Sequence, residues 1–166
     1  MNYTTVYEVV NEELDSSLFI PLIFMVVGFG ISYVTYKFFA KGSLRSYVIG
    51  FGILFGLFAL VFSIVTIPSN LIDYNKTMKA YEKGNYKTEI GKIESFEPMP
   101  FGGHQQEKFT LNGIEFDYSD FSLYYYGFHN SASHGGPIKE NGQEVKIGYI
   151  TSESGKNVIW KIELNK

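Results

Sequence analysis

The longest uninterrupted apolar pattern in the chain runs from Tyr47 to Ile67, YVIGFGILFGLFALVFSIVTI, with no charge on any side. At a rise of ~1.5 Å per residue, about 20 helical residues cross a ~30 Å hydrocarbon core. The run is therefore predicted to be a transmembrane helix. Ser17 to Phe39 has the same character and is predicted to be a first, retained span. It lacks the basic start of a signal peptide, because residues 1–16 form a polar, acidic tail with Glu8, Glu12, Glu13 and Asp15. Residues 17–68 then read as a two-helix transmembrane hairpin with a short link carrying Lys37, Lys41 and Arg45, which makes the helices antiparallel neighbours.

Each span carries a stripe of small residues. Gly28, Ser32 and Thr35 recur at helical spacing in the first, and Gly52, Gly56, Ala59 and Ser63 in the second. Such stripes let backbones approach closely in lipid. They are read as the packing surface of the hairpin on itself, with Gly52 and Gly56 packing against a second copy as the alternative. Apart from Lys37 at the link end of the first, neither span holds a charged residue, which argues against a transport path.

Beyond Pro68, expected to end the second span, residues 69–85 form a connector. Asn70 is placed to cap a new helix whose stripe is Leu71, Tyr74, Met78 and Tyr81, stopped at Gly84. The stripe is expected to plug the following domain rather than lie on lipid headgroups. From Tyr86 the period falls to two, and residues 86–166 read as a small all-β domain. Asn112-Gly113 between EKFTL and IEFDY predicts a type I′ hairpin. Its register opposes Leu111 to Ile114, Phe109 to Phe116 and Lys108 to Asp117, the last as an ion pair. Tyr86–Phe96 is a long first strand, with a bulge expected at Gly91. Phe121–Phe128, the run around Val145–Tyr149 and that around Val158–Leu164 complete about six antiparallel strands. An OB-like barrel or a small sandwich is the expected fold.

Composition adds limits. A net charge of -3 does not suggest a nucleic acid polymer as partner, and the absence of cysteine removes disulfides and thiolate chemistry. Aromatic residues make up 17% of the chain, which fits a core plus interfacial belts. The basic link places itself in the cytoplasm and the β-domain outside, whereas Lys76, Lys79, Lys83 and Lys87 pull the other way. The balance is drawn to the extracytoplasmic side.

Two loops combine glycine, proline and histidine: Glu97–His104 and His129–Pro137. Gly103, His104, Glu107, His134, Gly135 and Gly136 are the candidate ligand-binding residues there, joined by Tyr124 and Tyr126, which share a strand face able to stack a planar ligand. His104, His129 and His134 with Glu107 lack the spacing of a metal motif, and no metal or cofactor is expected. Ser131, Ser133, His134 and Asp120 supply triad residue types without a nucleophile elbow, and no catalytic residue is assigned.

The segments GKIESFEP, EKFTLNGIEFDYSD, HGGPI and VKIGYI, in that order, resemble a family of bacterial proteins that carry a β-rich module behind membrane helices. The resemblance covers Tyr86 onward. It implies a bacterial cytoplasmic membrane and brings no activity with it. In architecture alone the chain resembles two-transmembrane β-barrel antiphage effectors, which implies nucleotide binding and assembly in the bilayer. The reading drawn is a membrane-anchored, non-enzymatic binding or interaction module, whose partners are the lipid bilayer, a protein or small molecule, and a second copy of the chain. The alternatives are a nucleotide-gated membrane effector and a metal-dependent hydrolase.

Overall fold

The computed structural model describes residues 2–13, 16–103, 105–121 and 126–165. The chain divides into two units, Leu14–Tyr74 and a second made of Met1–Glu13 with Asn75–Lys166.

The first unit is the hairpin. A 3-10 turn at Ser16–Phe19 leads into α1 (Ile20–Phe38), and α2 (Ser43–Glu82) follows a short link. Both helices are long and apolar enough to cross a membrane. The buried residues are the small ones: Gly28, Ser32 and Thr35 of α1, and Gly52, Gly56, Ala59 and Ser63 of α2. The two stripes face each other. A Cβ on Gly28 would lie 2.7 Å from the Gly56 nitrogen and 2.9 Å from the Gly52 oxygen, so only glycine permits this approach. Ser32 Oγ donates across the interface to the Ile49 carbonyl at 3.0 Å. Arg45 reaches back to carbonyls of the last turn of α1, donating from Nη2 to Tyr36 at 2.5 Å and from Nε to Thr35 at 3.4 Å.

Pro68 does not end the second helix, contrary to expectation. α2 continues through it for 40 residues in all. Nearby side chains occupy the carbonyls of the preceding turn: Ser69 Oγ donates to Val65 at 3.0 Å and Asn70 Nδ2 to Thr66 at 2.8 Å. Asn70 thus bonds backwards instead of capping a separate connector helix.

The second unit is a six-stranded antiparallel sheet in the order β1-β6-β5-β2-β3-β4. The strands are β1 (Tyr3–Glu8), β2 (Lys87–Glu97), β3 (Glu107–Leu111), β4 (Ile114–Tyr118), β5 (Glu144–Thr151) and β6 (Asn157–Asn165). The sheet is not closed by a hydrogen-bonded ladder between its edge strands, so the barrel expectation is corrected to an open sheet. Its seam is guarded by side chains. Asn157 Nδ2 donates to the Glu115 carbonyl at 2.9 Å, and Lys156 pairs with Asp117 at 2.7 Å. Ile93, Phe109, Leu111, Phe116, Ile147, Ile159 and Ile162 are among the core residues.

The hairpin register is as expected, with positive φ at Asn112 (52°) and Gly113 (78°), although Asp117 takes Lys156 rather than Lys108 as its ion partner. The bulge falls between Glu94 and Glu97, with Ser95 at φ 50°, and not at Gly91. Just ahead of the bulge β2 changes partner, from β5 over Lys87–Lys92 to β3 from Ile93 onward. Gly91 has another reason to be glycine: a Cβ would lie 2.7 Å from Asn112 Oδ1, whose side-chain amide donates to the Ile90 carbonyl. The aromatic run 121–128 forms no strand among its described residues, and Tyr124 lies outside them.

The acidic tail supplies the missing strand. β1 pairs with β6 from Tyr3↔Asn165 to Glu8↔Lys161, with an irregularity around Val6. Glu8 also bonds Lys161 at 2.7 Å. The carboxyl is held below its ordinary range, first by the Lys161 hydrogen bond. In the same unit, Tyr81 stacks on Tyr86 at 5.1 Å and meets Trp160 edge-on at 6.4 Å. β1 precedes the hairpin and β2 follows it, so a hairpin that crosses a membrane leaves the N-terminal strand and the C-terminal sheet on one side.

Gly56→Leu is expected to destabilise the hairpin by about 2 kcal/mol, the ordinary cost of overpacking. Gly50→Leu, at a position with open space around its Cβ, is expected to be neutral. SDS titration of the full chain in mixed micelles checks both.

Candidate functional site

The two glycine-rich loops come together around a buried carboxylate. Glu107 opens β3 and is completely buried. Tyr118 stands opposite it in the β3–β4 register and donates its hydroxyl to Oε1 at 2.6 Å. The Ala132 amide, from the second loop, donates to Oε2 at 2.9 Å, and the Met99 amide, from the first, does so at 3.4 Å. These donors are neutral. Burial next to the carboxylate pushes the Tyr118 phenol up, so it stays protonated as a donor.

Asp120 fastens the same loop from its other side. The Ser131 amide donates to Oδ1 at 2.6 Å and the Ser131 hydroxyl to Oδ2 at 2.5 Å, while His134 Nδ1 bonds Oδ2. Burial alone would raise this carboxyl. The bonds from Ser131 and His134 outweigh it and hold Asp120 below its ordinary 3.8. Gly135 takes φ 100°, and the buried Gly136 donates its amide to the Ser131 carbonyl at 2.7 Å. A Cβ at Gly136 would lie 2.7 Å from the Ser131 carbonyl carbon, so the loop closes only with glycine there.

This is not a nucleophilic relay. In such a relay the imidazole stands between acid and serine and uses a different nitrogen for each. Here Ser131 and His134 bond the same carboxylate oxygen, with Ser131 Oγ 3.3 Å from the same Nδ1, and Ser131 is completely buried. Its hydroxyl is a structural donor. The exposed product of the arrangement is an aromatic patch. Phe101 packs on the His134 ring at 4.8 Å and Phe121 approaches it edge-on at 6.4 Å, with the two phenylalanines 76% and 64% exposed.

Of the candidate residues, Glu107, His134, Gly135 and Gly136 are therefore brought together. Gly103, at φ 74°, joins them through Phe121, whose Cε2 would lie 2.6 Å from a Cβ there. His104 and Tyr124 lie outside the described residues. Tyr126 is half-buried in a bend, not on a strand face. His129 lines a cavity of about 300 Å³ with Tyr118, Phe128, Lys156, Asn157 and Ile159. Among the described residues no group of three or more histidines and carboxylates is placed to hold a metal ion. Tyr118 was readable as Glu107's partner from the Asn-Gly register. Asp120 was grouped with Ser131 and His134 by residue type, whereas Phe101 carried no pattern that marked it as a neighbour of His134.

No family model, curated protein or solved structure matches this chain.

Glu107→Ala strands the Tyr118 hydroxyl and the Ala132 amide without their acceptor and is expected to cost about 3 kcal/mol. Glu107→Gln, which keeps an acceptor, is expected to cost less. Trp160, the single tryptophan and a buried one, reports the transition by fluorescence.

Because the folded Asp120 carboxyl titrates below its ordinary value, its stabilisation is full above the usual aspartate range. It is lost as pH falls through the lowered value. Asp120→Asn is expected to lower stability at neutral pH and to remove this part of the acid sensitivity, read as unfolding midpoints from about pH 7 down to about pH 2.

Proposed function

We propose that the chain is a non-enzymatic binding or interaction module anchored by its helical hairpin, with the β-sheet unit at a membrane surface. The observation that carries this reading is the use made of the reactive residue types. Glu107, Asp120 and Ser131 bond inward and fix the loop, while Phe101 and Phe121 stand outward around His134. A rigid loop that presents exposed aromatic rings is a recognition surface rather than a set of reacting groups. The resemblance to bacterial membrane-anchored modules supports a cytoplasmic membrane as the location, and the basic link supports an extracytoplasmic sheet.

The chain has no cysteine, so one experiment reads both side and partner. A Phe101→Cys variant is treated in intact cells with a membrane-impermeant maleimide–benzophenone and then irradiated. Labelling followed by a discrete protein adduct is the expected result. Labelling only after lysis overturns the orientation. Labelling without an adduct overturns the interaction surface, and a turnover abolished by His134→Ala overturns the non-enzymatic assignment.

A further inference from the structure

A second cleft, of about 430 Å³, lies where the N-terminal segment meets the sheet, and it is lined by Tyr7, Glu12, Phe128, His129, Gly135 and Pro137 among others. The carboxyl of Glu12 is half-buried there and accepts the Tyr7 hydroxyl at 2.6 Å. The Gly127 amide also hydrogen-bonds it, so the carboxyl is positioned from two sides. The Tyr7 ring meets the Phe128 ring edge-to-face at 5.0 Å, which sets two aromatic groups beside the carboxyl. The lysine of this edge is engaged elsewhere, because Lys161 pairs with Glu8 and Glu163.

A half-buried carboxylate with fixed hydrogen-bond donors, beside two aromatic rings and without a lysine or arginine in its cleft, matches an organic cation. The carboxylate supplies a charged acceptor and the rings supply a polarisable wall. We propose that this cleft binds a primary ammonium group, with Glu12 as its counter-charge and Tyr7 and Phe128 as its walls. The proposal rests on the reading of the unit as a binding module and names the ligand chemistry of one of its clefts.

Electrostatics give the site a pH dependence. Burial raises the Glu12 carboxyl above its ordinary range, against the Tyr7 hydrogen bond, the charge of His129 and the Gly127 amide. An ammonium binds the ionised form, so binding displaces the proton and strengthens as pH rises. The groups facing Glu12 are Tyr7 from β1, whose phenol burial pushes up and keeps neutral, and His129 from the segment after Phe128. The loop contributes Gly135 and Pro137, which do not titrate.

The test uses the full chain in phosphatidylcholine nanodiscs with n-butylammonium as probe, followed by ligand-observed saturation-transfer NMR and calorimetry. Saturable binding at about pH 8, weaker at about pH 5 and weakened at least tenfold by Glu12→Gln, is the expected result. Glu12→Gln retains the shape and an acceptor for Tyr7, and its unfolding midpoint confirms that it folds. Tyr7→Phe keeps the ring wall and is expected to hold affinity within about threefold. Absence of saturable binding overturns the proposal, as does binding unchanged in Glu12→Gln. Repeating the titration in phosphatidylethanolamine nanodiscs separates the sources. Competition identifies a lipid headgroup amine, and unchanged affinity identifies a free amine. None of these readouts depends on the aromatic patch at Phe101, so loss of one reading leaves the other standing.

Discussion

The carboxylate of Glu107 is the point on which the β-unit turns. A charge with no exposed surface is tolerated only when hydrogen bonds replace its water. Here the replacements come from three separate stretches: the phenol of β4, the amide of Met99 in the loop after β2, and the amide of Ala132 in the loop before β5. Those loops have little regular structure of their own. Their path is set because the carboxylate must be satisfied, and Asp120 repeats the device on the outer side of the second loop. The aromatic patch above them is therefore a by-product of electrostatic necessity below.

How far the sequence revealed this depends on the range of each signal. The Asn112-Gly113 turn and the alternation around it dictated the β3–β4 register, because turn chemistry and side-chain period act over a few residues and agreed. The small-residue stripes of the hairpin were equally legible, since helical spacing alone puts Gly28, Ser32, Gly52 and Gly56 on facing surfaces. The N-terminal strand was hidden. Tyr3–Glu8 reads as a polar tail because an edge strand needs only one covered face, and its partner lies at the opposite end of the chain. The phase change in β2 was visible, but its cause was not. A strand that changes neighbours shifts its pattern, and the distortion settled at Ser95 rather than at the available glycine. Pro68 misled for a local reason, because a proline removes a single bond of the ladder, the one to the Ile64 carbonyl, from a helix of 40 residues.

The hairpin also bears on assembly. Gly52 and Gly56 lie against α1, with the Gly28 backbone filling the space that a second copy would need. Contact between copies through that stripe would require the hairpin to open. The outward faces carry large side chains, among them Phe51 and the stacked pair Phe58–Phe62, which suit lipid acyl chains.

The pairing of β1 with β6 joins the first strand of the sheet to its last. During synthesis β1 emerges before either apolar helix, and its neighbour emerges only after every other strand. Through that whole interval the first strand has no ladder to join. Completion of the sheet is thus a late, long-range closure of the kind that slows folding. Delivery of the two helices to lipid would precede it. For a hairpin that enters a membrane, the strand order would then put anchoring first and a finished edge last.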